Sequence, residues 1–119
     1  MGRMKTILLV EDDAAVGEML REQLVDSGFV VKHAPTLPTA ERFFSETVFD
    51  ALLLDGTMKP NSDEVDTIGF LLRVKQHGFH GKVIGISGSA QSNGILCVNG
   101  ADAGILKTHV AEIMAALKR

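Results

Sequence analysis

Short unbroken apolar runs alternate along this chain with segments whose apolar residues recur every three or four positions. Residues 6–10, Thr-Ile-Leu-Leu-Val, show no polar alternation, which predicts a strand covered on both faces. From about Ala14 the period changes. Val16, Met19, Leu20 and Leu24 fall on one helical face, Asp13 stands where it can cap the helix, and Gly28 stands where it can stop it. The alternation then repeats, with residues 29–31, 51–54, 83–86 and 104–106 reading as strands. A helix is predicted over residues 38–46, burying Ala40, Phe43 and Phe44. The next, over 66–76, buries Phe70, Leu71 and Val74 and ends at Gly78. A helix over 90–98 is weak, because Asn93 and Gly94 disfavour its middle. The last runs over 109–118, with Val110, Ile113, Met114 and Leu117 inward. Five strand–helix units in series predict an α/β fold, an open parallel sheet with helices on both faces. Such sheets bind ligands outside the carboxyl ends of their strands.

Length and composition narrow the function classes. A chain of 119 residues suits one domain with one core, so a single domain over residues 1–119 is expected. No apolar run approaches the roughly 20 residues of a membrane helix. The N-terminal run is too short for a signal peptide and has no small-residue cleavage site. Cys97 is the only cysteine, which excludes an internal disulfide. A cytoplasmic protein without membrane insertion is expected. The mild net charge of -3 argues against a large nucleic-acid footprint, and the absence of Tyr and Trp removes a base-stacking platform. Direct nucleic-acid binding is therefore not expected.

The residues that end the apolar runs carry the candidate chemistry. Glu11 and Asp12 end the first, Asp55 the third, Ser87 the fourth and Lys107 the fifth. In a parallel sheet all five lie along one edge. Three carboxylates brought close together cannot all stay ionised without a compensating charge. A hard divalent cation supplies it, and Mg²⁺ suits a few carboxylates plus waters and phosphate oxygens. Lys107 adds a point charge suited to phosphate, and Ser87 adds a hydroxyl donor. Together they form a site for a phosphoryl group beside a carboxylate nucleophile.

In this order and spacing the residues resemble the receiver domains of two-component response regulators, of the single-domain, chemotaxis-regulator-like kind. The resemblance covers nearly the whole chain. It rests on Leu8-Leu9-Val10-Glu11-Asp12-Asp13, on Leu52-Leu53-Leu54-Asp55 with Met58 following, on Ser87, and on Gly100-Ala101-Asp102 leading to Lys107. It implies a flavodoxin-like, doubly wound sheet of five parallel strands in the order 2-1-3-4-5 with five helices. It implies that Asp55 accepts the phosphoryl group, that Asp12 ligates Mg²⁺ directly, and that Glu11 holds the metal through water. Asp55 itself and the backbone carbonyl of Thr57 complete the protein's share of the metal site. Ser87 would bond a phosphoryl oxygen, and Lys107 would pair with the acceptor carboxylate or its phosphate. Asp13 reads as a helix cap rather than a ligand. The implied partners are a histidine kinase or histidine phosphotransfer protein and an unidentified downstream protein. Such a chain is a signalling domain rather than an enzyme, with at most self-phosphorylation and autodephosphorylation. The alternative is a pseudo-receiver that docks without using phosphate.

The departures from the family pattern fall in its switching half. Lys59 stands where a Pro is usual, Pro60 comes one later, and Gly69 is the counterpart of the Gly the family usually has a few residues further on. That implies an insertion of roughly half a dozen residues over 61–66, containing Asp63, Glu64 and Asp66. Gly104 replaces the usual aromatic, Gly88 the usual Ala, and Thr108 the usual Pro after the lysine. A non-prolyl cis bond costs about 3 kcal/mol, so a cis bond after Lys107 is not expected.

Each site residue also has an ordinary reading: strand-end acids, a turn former before Gly56, a loop-starting serine, a surface lysine. Only their coincidence at matching strand ends favours the site. Leu54-Asp55-Gly56-Thr57 also resembles the Asp-x-Asp-Gly-Thr motif of haloacid dehalogenase phosphatases, but the nucleophile would fall at Leu53, which has no carboxylate. His33, His77, His80 and His109 lack metal-ligand spacing and are expected on the solvent side, with Cys97 packed.

Overall fold

Thr6–Val10 forms β1, and the described elements follow in strand–helix succession. A computed structural model describes residues 3–58 and 65–119. After β1 come α1 (Ala14–Asp26), β2 (Val30–Ala34), α2 (Leu37–Glu46), β3 (Ala51–Leu54) and α3 (Ile68–Gln76). Then follow β4 (Lys82–Gly85), α4 (Ala90–Val98), β5 (Ala103–Gly104) and α5 (Val110–Lys118). All strand pairs are parallel, and the order is β2-β1-β3-β4-β5. The fold is thus the flavodoxin-like sheet that the resemblance implies. Its order reverses between β1 and β3, which places the switch-point crevice beside the ends of those two strands.

The period of two along each strand divides the core into two layers. Leu8, Val10, Leu52, Leu54 and Val83 face Phe70, Leu71 and Val74 of α3 and Leu96 of α4. Ile7, Leu9, Leu53, Ile84 and Ile86 face Leu20 and Leu24 of α1 and Ile113 and Leu117 of α5. Local signals set the ends of the helices. The Val16 amide donates to Asp13 Oδ1 at 3.1 Å, the predicted cap of α1. Gly28 (φ 96°) and Gly78 (φ 82°) end α1 and α3 in the left-handed region, where a side chain is strained.

Several expected boundaries shift. The second strand is Val30–Ala34, not residues 29–31. The Phe29 amide closes α1 by donating to Leu24 O at 3.1 Å, and the strand runs on through polar Lys32 and His33. As an edge strand, β2 pairs only with β1 and needs no continuous apolar run. The fifth strand is Ala103–Gly104 rather than 104–106, yet the Ile105 and Lys107 amides still donate to Gly85 O (2.8 Å) and Ser87 O (3.3 Å). α3 starts at Ile68, because the Asp66 side chain is engaged by the Met58 amide at 2.7 Å. Met19, expected inward, is 39% exposed, and Cys97, expected packed, is exposed. Residues 61–64 of the expected insertion lie outside the described residues. Among the described residues no peptide bond is cis and no helix is long and apolar enough to cross a membrane.

Candidate functional site

Parallel pairing brings the chain's strand-end residues to one edge. Glu11 and Asp12 follow β1, Asp55 follows β3, Ser87 lies just beyond β4, and Lys107 lies just beyond β5. Oxygens of Glu11, Asp12 and Asp55 lie within 4.8 Å of one another. Glu11 is fully buried, Asp55 and Ser87 nearly so, and Asp12 is half-buried at the mouth. Lys107 reaches in from β5. Its Nζ donates to Glu11 Oε1 at 3.2 Å and Oε2 at 3.4 Å, and lies 3.5 Å from Asp55 Oδ2. The other oxygen of Asp55, Oδ1, accepts the Thr57 amide at 3.4 Å. Glu11 Oε1 also accepts the Asp13 amide at 3.2 Å. Asp13 turns away as the α1 cap.

Three carboxylates thus face one ammonium, and the electrostatics show the imbalance. Burial first, then the charge of Asp55, pushes the Glu11 carboxyl from 4.5 up to about 7, against the pull of Lys107. Burial raises Asp55 as well, and Asp12 adds to it, while Lys107 and the Thr57 amide pull the other way. Lys107 is held above its ordinary value: burial opposes its charge, but Asp55 and Glu11 outweigh it. A donor set of clustered hard oxygens with surplus negative charge fits Mg²⁺.

Two residues that shape the site carry no sequence signal of their role. His33, expected at the solvent side, is half-buried on β2, and its Nε2–H donates to the Glu11 carbonyl at 2.8 Å. A carbonyl only accepts, so that nitrogen carries the proton. Together with the Glu11 amide, which donates to Ala34 O at 3.2 Å, this pins the turn bearing Glu11 and Asp12 to β2. Asn93, read from sequence only as a weak point of α4, is buried against Ser87. Nearby, buried Thr67 donates its hydroxyl to Gly56 O at 3.1 Å and fixes the turn that follows Asp55.

Fold and acidic edge together define a receiver-type α/β domain. The family model for the response regulator receiver domain matches residues 7–118, and the chain belongs to that family. Solved structures agree in fold. The response regulator TrrA from Thermotoga maritima, in complex with Mg²⁺ and BeF, is 22% identical, with a TM-score of 0.84 and 97% of each chain covered. A CheY-like receiver domain protein from Methanospirillum hungatei is 24% identical, with a TM-score of 0.80, covering 97% of this chain and 91% of that one. The non-phosphorylated HemR receiver domain from Leptospira biflexa is 28% identical, with a TM-score of 0.74, covering 97% of this chain and 92% of that one. A search of curated protein sequences returned no significant match.

Proposed function

We propose that this receiver domain takes a phosphoryl group onto Asp55 from a phosphohistidine donor, a histidine kinase or histidine phosphotransfer protein, in a Mg²⁺-dependent reaction in the cytoplasm. The carrying observation is the convergence of the Asp55 carboxylate, the Lys107 ammonium and two further carboxylates at one strand-end edge. An Asp55 oxygen attacks phosphorus, the new P–O bond forms as the P–N bond to the donor imidazole breaks, and the imidazole leaves with the electron pair. Lys107 offsets the negative charge on the phosphoryl oxygens, and the Ser87 hydroxyl donates to one of them. Water later attacks the acyl phosphate, returning the carboxylate and releasing inorganic phosphate. Glu11, Asp12, Asp55 and the Thr57 carbonyl would hold Mg²⁺, which supplies charge neutralisation for the carboxylates and the transferred group. A downstream protein would read the phosphorylated form.

The test is intact-mass analysis after incubation with acetyl phosphate and Mg²⁺. The expected result is one added phosphoryl group that disappears in Asp55→Asn and when Mg²⁺ is chelated. Lys107→Ala is expected to slow the modification on the order of 10²-fold while still binding Mg²⁺, because one preorganised charge is lost. No mass gain in the wild type would instead favour a module that docks without phosphate.

A further inference from the structure

Asparagine is a poor residue for the middle of a helix, yet Asn93 occupies the first turn and a half of α4 and is 4% exposed. Its carboxamide is spent on Ser87. The Ser87 amide donates to Asn93 Oδ1 at 2.8 Å, and Asn93 Nδ2 donates to Ser87 O at 3.4 Å. One side chain thus satisfies both backbone groups of the residue just past β4, as a neighbouring strand would. A second link joins the same two elements. The Ser87 hydroxyl accepts the amide of Ser89, the cap residue of α4, at 3.2 Å.

The sheet makes room for this arrangement. A Cβ at Gly104 would lie 2.7 Å from the Asn93 Cβ, and one at Gly85 would lie 3.0 Å from Asn93 Oδ1 and 2.9 Å from Leu96 Cδ1. Gly104 is therefore the residue that admits Asn93 to the sheet edge. Beside it, a groove of about 250 Å³ between α4 and β5 is lined by Ala90, Asn93, Gly94, Cys97, Gly104 and Leu106. All but Leu106 and Asn93 are small, which leaves α4 space to shift.

We propose that Asn93 is a positioning residue: it holds Ser87 in the phosphoryl site and carries the movement of Ser87 into α4. The inference rests on the reading of Asp55 as acceptor. As its hydroxyl turns to donate to a phosphoryl oxygen, Ser87 moves, and the Ser89 amide that it accepts at the α4 cap is pulled with it. Asn93, still bonded to the Ser87 backbone, then drags the helix with it. The device needs no bulky side chain on β5.

The test is amide hydrogen exchange across residues 88–100 with Mg²⁺, with and without beryllofluoride as phosphoryl mimic, paired with the rate of modification by acetyl phosphate. The wild type is expected to change protection over this segment when beryllofluoride binds. Asn93→Ala is expected to bind Mg²⁺ normally, to lose the exchange response, and to be modified at least about tenfold more slowly, because the hydroxyl is no longer held in place. A residue that only stabilised the fold would lower the melting temperature and leave both readouts intact in the folded fraction. Gly104→Ala, which crowds Asn93 without altering its carboxamide, is expected to damp the same response and keeps the test open if Asn93→Ala does not fold. An unchanged response and rate in these variants overturns the inference alone. Failure of the wild type to bind beryllofluoride removes the acceptor reading and this inference with it.

Discussion

The Asp12 carboxylate sits in a crowd of like charge, within 4.8 Å of Glu11 and Asp55. Without a cation, removing that charge relieves the repulsion. Asp12→Asn is therefore expected to raise the melting temperature by several degrees, the change that about 1 kcal/mol produces in a domain of this size. Mg²⁺ is expected to relieve the same repulsion in the wild type and to add about 2.7 kcal/mol at a hundredfold excess over Kd. Thermal unfolding with and without Mg²⁺ checks both, and an equal Mg²⁺ gain in the variant would contradict the assignment of Asp12. Glu11 sets the pH response. Its folded pKa, about 7, lies above its ordinary 4.5, so its protonated form favours the fold. That contribution is fully present below about 4.5 and is lost as pH rises through about 7. Metal-free protein is expected to lose stability as pH climbs through this window, with the raised Asp55 adding in the same direction. Urea denaturation across the window checks it, and Glu11→Gln should flatten the slope. A wild-type stability that rises with pH would contradict the electrostatic account.

The elements were legible where burial imposes one period and obscure where it does not. β1 and β3 are covered on both faces, and their apolar runs marked them to the residue. β2 is an edge strand whose exposure alternates, so apolar continuity cut it short before Lys32 and His33. β5 is only two residues long, too short for any period to register. The strand-end acids, Ser87 and Lys107 were legible because parallel topology turns strand ends into neighbours. His33 and Asn93 were not, because their partners are backbone groups, which leave no trace in a residue pattern. The α1–β2 contact offers a test. Gly17 on α1 faces the His33 ring closely enough that an added methyl would overlap it. Gly17→Ala is expected to cost about 1–3 kcal/mol through overpacking, partly recovered when His33→Ala is made in the same chain. Chemical denaturation measures both, and a neutral Gly17→Ala would show that the ring does not press on α1.

The molecule as a whole is braced at one edge of the sheet and charged at the other. At the amino edge, Lys5 Nζ donates to Leu117 O at 2.7 Å and Lys82 Nζ to Ala116 O at 2.6 Å. Two ammoniums thus hold the carbonyl end of α5, where the helix dipole favours positive charge. At the carboxyl edge the surplus charge is negative and buried, and the segment that leads from it is α4, whose interior Asn93 and Gly94 weaken it. That division suits a domain that stays folded while one corner responds to a charge arriving at Asp55. The proposal of Asp55 as nucleophile rests on its position: it lies 3.5 Å from the Lys107 ammonium and keeps a slight exposure where Glu11 has none. The most direct measurement is where the phosphoryl group goes. Wild-type protein is treated with acetyl phosphate and Mg²⁺, the acyl phosphate is converted by hydroxylamine to a hydroxamate, and the peptides are sequenced by mass spectrometry. The account predicts the hydroxamate at Asp55 alone; finding it at Glu11 or Asp12, or finding none, would contradict it.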